Sequence, residues 1–203
     1  MMDEIKVGCC GFSKGKRKYI EKFRLVEIQK TFYKPPLTGT AQKWREQSPE
    51  DFEFSLKAWQ EITHLPSSPT YRKAALQIPP SKEGNYGFFK PSEETFKAWE
   101  KTQDIARILK AKVIVFQCPA KFIPNTENIE NMRYFFTNID RGDFIFVWEP
   151  RGEWRKDDIV ALCQDLDLVH CVDPLENEAA YGEIKYFRLH GGAIINTNIA
   201  TMN

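Results

Sequence analysis

The sequence predicts an α/β fold, a TIM-like (β/α) barrel of about seven parallel strands in one domain over residues 1–203. Three observations carry that prediction. Seven short runs rich in Val, Ile and Phe recur along the chain, each the length of a buried strand. Stretches with helical apolar spacing separate them, and a repeated strand–helix–strand order implies parallel strands joined by crossovers. Finally, 203 residues with 42% hydrophobic and 13% aromatic content can build one sizeable core, which excludes wholesale disorder.

The expected strands are Ile5–Cys9, Arg24–Gln29, Phe52–Lys57, Val113–Gln117, Phe144–Glu149, Leu168–Val172 and Lys185–His190. Helical spacing predicts helices over Thr40–Gln47, with Trp44 on one face, over Ser92–Lys110, over Asn125–Ile139 and over Lys156–Gln164. Ser92 three residues before Thr95 is an imperfect capping box at the start of the second of these. Pro- and Gly-rich breaks at Lys34-Pro35-Pro36, Leu65–Pro69 and Ile78–Gly87 mark loops. Leu65–Pro91 reads as one long excursion holding a helical turn at Thr70–Gln77, and excursions of that length are usually lids or binding loops. Gly8-Cys9-Cys10-Gly11-Phe12 matches neither G-x-G-x-x-G nor a P-loop, which argues against a dinucleotide or NTP site.

Charge and targeting narrow the function classes. Lys+Arg is 29 against Asp+Glu 28, so no bulk electrostatic footprint for nucleic acid exists, although a local basic patch is allowed. Met1–Lys6 lacks the basic and apolar regions of a secretory signal, and no run approaches the roughly 18 apolar residues of a membrane span. A soluble, cytoplasmic protein without membrane contact is expected. Five cysteines, an odd number, argue against a disulfide framework.

In barrels, chemistry sits at the carboxyl ends of strands. Here Glu27 closes the second run, Lys57 the third with His64 just beyond, and Gln117 the fourth. Glu149 and Arg151 close the fifth, Asp173 the sixth, and Arg188 and His190 the seventh. One polar strand end is usually an ordinary loop residue. Its recurrence at nearly every strand points to a polar mouth, because apolar strands bury their ends and buried charges need partners. The alternative is a structural ion-pair network inside the barrel, such as Glu27 with Lys57 or Glu149 with Arg188.

These segments also carry a resemblance. Val7–Phe12, Val26–Tyr33, Phe54–Ala58 with Ile62-Thr63-His64, Phe116–Pro119, Trp148–Arg151 with Trp154, Val172-Asp173 and Tyr186–Gly191 occur in that order. The chain resembles the DUF72 (YecE-like) family over about residues 5–192. The resemblance implies a TIM-barrel-like fold with a polar pocket at its mouth and implies no established activity. Members usually continue with a Tyr-rich helix and a last strand carrying paired asparagines. Ala193–Asn203 has no helical periodicity, so a missing or truncated C-terminal βα unit is expected, with an open edge suited to self-association. Cys9 and Cys10 stand where the family shows small hydroxyl residues, and Cys118 where an apolar residue is usual.

Four thiols, Cys9, Cys10, Cys118 and Cys171, fall at or near carboxyl strand ends, and a metal or iron–sulfur site there is one expectation. The plainer reading is that free Cys is a small buried hydrophobe, as expected for Cys163 on its helix. The leading functional expectation is an enzyme acting on a small anionic or phosphorylated substrate. Arg151 and Arg188 would grip it, Glu27 or Glu149 would be the base, and His64 or His190 the acid, with Lys57, Gln117 and Asp173 in the same group. Nucleic-acid binding or processing is a second expectation, motivated by barrel-type repair endonucleases and by the basic, aromatic run Phe12–Tyr19. A non-catalytic partner subunit is the third.

Overall fold

The computed structural model describes residues 5–13 and 15–190. Lys14 of the basic run and the C-terminal segment Ala193–Asn203 lie outside them. The strands are β1 (Gly8–Cys10), β2 (Leu25–Ile28), β3 (Glu53–Lys57), β4 (Val113–Gln117), β5 (Ile145–Glu149), β6 (Val169–Val172) and β7 (Tyr186–Phe187). They form one seven-stranded parallel sheet in sequence order, the TIM-like arrangement. Among the described residues β7 pairs only with β6, so the barrel is open between β7 and β1.

The helices are α1 (Lys16–Ile20), α2 (Lys30–Tyr33), α3 (Thr38–Glu46), α4 (Gln60–Thr63), α5 (Pro69–Lys73), α6 (Glu93–Leu109), α7 (Thr126–Asn138) and α8 (Lys156–Leu166). The long ones begin where local chemistry requires. Ser92 Oγ accepts from Thr95 N–H at the start of α6, and Asn125 Oδ1 accepts from Asn128 N–H at the start of α7. None among the described residues is long and apolar enough to cross a membrane.

Strand alternation divides the interior into two cores. Val26, Ile28, Phe54, Leu56, Ile114, Phe116, Phe146 and Trp148 face the helices in the larger one. Its centre is aromatic: Phe116 lies 5.0 Å from Phe136 and 5.2 Å from Phe146 between ring centroids, and Trp99 lies 5.3 Å from Phe146. The smaller core fills the lumen with Val115, Val147 and Cys171, flanked by Val113, Ile145, Val169 and Tyr186. The lumen side chains one step nearer the strand ends are Lys57, Gln117 and Glu149. A plug of branched residues therefore floors the polar mouth.

Several boundaries differ from the sequence expectation. Lys16–Ile20, within the basic run, is helical, where the sequence predicts no helix. Buried Tyr19 anchors it by donating from its hydroxyl to Leu25 O at 2.7 Å and accepting from Cys9 N–H at 2.6 Å. The excursion over residues 65–91 is no free lid. Phe89 is fully buried among Phe116, Phe122, Phe135 and Phe136, and Phe89 N–H donates to Ile62 O. The chain reaches that position through Gly87 (φ 77), where a Cβ would meet the His64 carbonyl.

Candidate functional site

The mouth is built from the residues that follow or end each strand. Arg188 sits at its centre, 7% exposed, just beyond β7. Its Nε and Nη2 donate to Glu27 Oε2 and Oε1, both at 3.1 Å, and its Nη1 donates to Glu149 Oε2 at 2.5 Å. Nη2 also lies 3.6 Å from Cys10 Sγ. The fork geometry of a guanidinium thus bridges β2 and β5 across the lumen. Of the two ion pairs expected from sequence, Glu149 with Arg188 forms, and Glu27 takes Arg188 in place of Lys57.

The chain of bonds continues outward in both directions. Gln117 Nε2 donates to Glu149 Oε2 at 2.9 Å, and Gln117 Oε1 accepts from Lys57 Nζ at 2.7 Å. Parallel register places Gln117 directly beside Glu149, so this contact follows from the pairing of β4 with β5. Tyr186 OH donates to Glu27 Oε2 at 2.9 Å and lies 3.1 Å from Ser55 Oγ. Tyr186 is a site residue that sequence reasoning passes over. It stands two residues before Arg188 on the same strand face, and that period was the available signal.

On the other side, Glu149 Oε1 accepts from Arg151 Nε at 3.1 Å and from Arg151 Nη2 at 2.7 Å. His190 Nε2 lies 2.9 Å from Arg151 Nη2 and 3.2 Å from Glu149 Oε1. Asp173 orients this corner. Its Oδ2 accepts from His190 N–H at 2.8 Å and its Oδ1 from Leu175 N–H at 3.0 Å. Glu149, Arg151, Asp173 and His190, with Trp154 and with Lys156 at the start of α8, line a cavity of about 580 Å³. That is an ordinary volume for a small-molecule site.

Electrostatics follow from burial and these partners. Burial alone would raise the Glu149 carboxyl, but Arg188, Arg151 and the Gln117 amide outweigh it and hold it below its usual range. Burial likewise opposes the Arg188 charge, and Glu27 and Glu149 reverse that, raising its pKa further. Burial and then Glu27 raise the Tyr186 phenol well above its ordinary value, so it stays a donor. Lys57 is brought down to about 8 by burial and by Arg188, against the pull of Glu27 and Glu149. Burial and then the Lys57 charge push His64 down to about 3, so its imidazole is neutral at pH 7. His64 packs edge-on to Phe32 at 4.9 Å and shares a bond with Thr63 Oγ1 through Nδ1 at 2.8 Å. No bond among the described residues joins it to the Lys57–Glu149 chain.

The thiols do not converge, which corrects the metal or cluster expectation for Cys9, Cys10, Cys118 and Cys171. Cys118 is buried in the outer core, where its Sγ accepts from Trp148 Nε1 at 3.3 Å. Cys171 belongs to the lumen core, Cys9 packs against the outer core, and Cys10 faces Glu27 and Arg188. Alternation sends neighbouring thiols to opposite faces of the sheet. Burial raises both Cys118 and Cys171 well above the ordinary thiol value, which opposes the thiolate form a metal needs. Among the described residues no group of three or more His, Cys, Asp or Glu is placed to hold a metal ion.

Residues 13–200 match the family described as "Protein of unknown function DUF72". No curated protein matches. Two crystal structures of a DUF72 family protein from Enterococcus faecalis V583 are similar at 18% identity. One has a TM-score of 0.64 over 92% of this chain and 73% of that one, the other a TM-score of 0.66 over 98% and 74%. A DUF72 family protein from Thermotoga maritima MSB8 is similar at 20% identity, with a TM-score of 0.59 over 86% of this chain and 64% of that one. At these identities the likeness is one of fold.

Proposed function

Since the chain belongs to the DUF72 family, whose function is unknown, we propose an activity from the mouth itself: acid–base catalysis on a small anionic substrate. The observation that carries this reading is the sharing of Glu149 Oε1 between Arg151 and His190 on the wall of the 580 Å³ cavity. When His190 Nε2 carries a proton it donates to Glu149, and Nδ1 becomes the basic nitrogen offered to a substrate. When Nε2 is bare it accepts from Arg151 instead. One ring nitrogen therefore changes partner as the proton moves, which is the behaviour a general acid–base group needs.

Anion preference follows from which charges are already satisfied. Glu149 is neutralised by two guanidinium groups, and Asp173 accepts two backbone N–H groups. Arg151 Nη1 has no partner among the described residues, and Lys156 lies on the same cavity wall. Arg151 Nη1 and the Lys156 ammonium are the cationic donors left for a ligand among the described residues, while the acidic Glu176 and Glu178 sit exposed at the cavity's edge. Arg188 has no such freedom. Its contacts with two carboxylates support a positioning role instead of the substrate grip expected from sequence.

Binding of a panel of small anions tests the proposal: inorganic phosphate, glyoxylate, short dicarboxylates and sugar phosphates, followed by calorimetry. At least one anion is expected to bind, and Arg151→Ala is expected to weaken it by about tenfold to a hundredfold, the worth of a charged hydrogen bond. Failure of every anion to bind, or equal binding by Arg151→Ala, would overturn it.

A further inference from the structure

Beyond its charged residues the cavity has an apolar wall. Strand alternation sends Cys171 to the lumen and His170, one residue before it, to the helix side of β6. The cavity reaches over the strand tips to that side, where Trp154, Ile159, His170 and Ala180 line it. Trp154, Ile159 and Ala180 belong to the outer apolar core. The Trp154 ring is fixed, because its Nε1 donates to Phe122 O at 2.8 Å and it meets Trp148 edge-on at 5.0 Å between centroids. Register sets Trp148 directly beside His170, so indole and imidazole share this end.

His170 is the polar group of that wall, 6% exposed. Its Nδ1 accepts from Ala180 N–H at 3.0 Å, and a backbone N–H can only donate. That nitrogen is therefore bare, the ring is neutral, and Nε2 carries the hydrogen. Burial favours the same neutral form, holding its pKa down at about 4. Nε2 has no partner among the described residues. The unpartnered polar atoms sealed from solvent among those residues are Gln60 Oε1 and Trp99 Nε1, so solvent reaches His170 Nε2. An unpartnered N–H in a cavity wall, its tautomer fixed from behind, is a donor offered to whatever fills the cavity.

We infer that His170 is a specificity-determining residue: its Nε2–H binds a neutral oxygen on the body of the ligand whose anionic group Arg151 holds. The inference rests on the reading of the mouth as an anion site and names the ligand's chemical class. That class is a carboxylate or phosphate carrying a flat apolar body with a carbonyl oxygen at its far end. The flat body follows from Trp154 and Ile159, which offer dispersion contact and no free hydrogen bond. The second oxygen is neutral because burial alone, with no neighbouring charge, perturbs His170, and a second anion would be desolvated there unpaired. Length fits as well. His170 lies opposite Trp148, and Arg151 comes three residues later, about 10 Å of extended chain. A bare inorganic anion reaches one end of that span, and an anion on a ring reaches both.

The test uses the intact protein and two probes of one shape, 4-acetylbenzoate and 4-isopropenylbenzoate, which differ by C=O against C=CH2. Calorimetry is expected to show the ketone binding at least about fivefold tighter, since the alkene leaves the His170 N–H dry and unpaired. The alkene is the more apolar probe, so a general preference for apolar ligands gives the opposite order. His170→Phe keeps a ring and removes the donor, which should bring the ratio to about one. Damage to the Ala180 contact would instead weaken both probes together. Equal binding of the two probes by the parent, or a ketone preference kept in His170→Phe, would overturn the inference. Nitrogen-15 NMR of the three histidines needs no variant. It should find His170 as the Nε2–H tautomer, with Nε2 shifting more on adding the ketone than the alkene, and an Nδ1–H tautomer would also overturn the inference. Should neither probe bind while inorganic phosphate binds in an Arg151-dependent way, this inference falls and the anion site stands. Absence of any anion binding removes both.

Discussion

Replacing Arg188 with methionine removes a buried guanidinium and keeps much of its apolar stem. Three hydrogen bonds to carboxylates are lost, two on Glu27 and one on Glu149. At about 1.5–3 kcal/mol for each charged bond the gross loss is about 5–9 kcal/mol. Part returns as the freed carboxyls take up water or protons, so breaking a buried pair nets about 3–5 kcal/mol. For a chain of this size that is a fall in Tm of roughly 6–20 °C. The pH dependence has a definite sign. In the parent, Glu149 is held below its usual range, so its pairing stabilises above the unfolded carboxyl pKa of about 4.3 and fades as pH falls through the folded value. In the variant, Glu149 keeps Arg151 but loses Arg188, so its value rises and acid relieves it. The gap between parent and variant is therefore widest near pH 7.5 and narrows toward about pH 4. Urea denaturation at both pH values measures it. Adding Glu27→Gln to Arg188→Met should recover about 1–2 kcal/mol by removing one stranded charge. A loss below about 1 kcal/mol at pH 7.5, or a gap that widens in acid, would refute the reasoning.

Phe89→Ala should cost about 3–5 kcal/mol in urea denaturation, since its ring is fully buried among four other phenylalanines. Ser92→Ala removes the side-chain cap of α6 and its bond to Asn85 O, and a fall of about 1 kcal/mol is expected by the same method. Burial raises Glu61 to about 7 against the pull of Lys101, so its charged form destabilises the fold increasingly as pH rises from about 4.3 through 7. Glu61→Gln should therefore be more stable than the parent at pH 8, on the order of 2 kcal/mol, and equal to it near pH 4, as read from Tm against pH.

How much of this was legible in the sequence depends on element length and on face. The seven strands and the four longer helices show themselves because apolar runs and helical spacing extend over enough residues to be periodic. Helices α1, α2 and α4 have four or five residues, too few for a period, and tertiary contacts such as those of Tyr19 form them. Glu27, Lys57, Gln117 and Glu149 are readable as site candidates because each interrupts or ends an apolar run on the lumen face. Their partners are not readable, since which carboxylate takes Arg188 depends on distances across the lumen. The cysteines mislead for a simple reason of parity. Cys118 follows Gln117 by one residue and so faces outward, while Cys171 precedes Asp173 by two and faces the lumen. The role of the 65–91 excursion is hidden because nothing in its composition marks Phe89 as the residue that seats in the core.

The strut from Arg188 to Glu27 joins positions 161 residues apart in the chain, and that separation has a consequence for the order of folding. A nascent chain complete through β6 already contains Glu27 and Glu149 but not Arg188, so Glu149 has Arg151 as its one guanidinium partner and Glu27 has none. Folding the first six strands therefore brings Glu27 toward a lumen that cannot yet hold it charged. The early sheet is favoured with its mouth still hydrated, and drying of the mouth waits for β7 to dock. Loop closure over so many residues is slow relative to local helix formation. The outer aromatic core, whose contacts between α6, β4, α7 and β5 are close in sequence, is thus expected to consolidate first, and the chemistry of the mouth last. A chaperone or protease meeting the half-made protein would find a packed exterior around an unfinished interior.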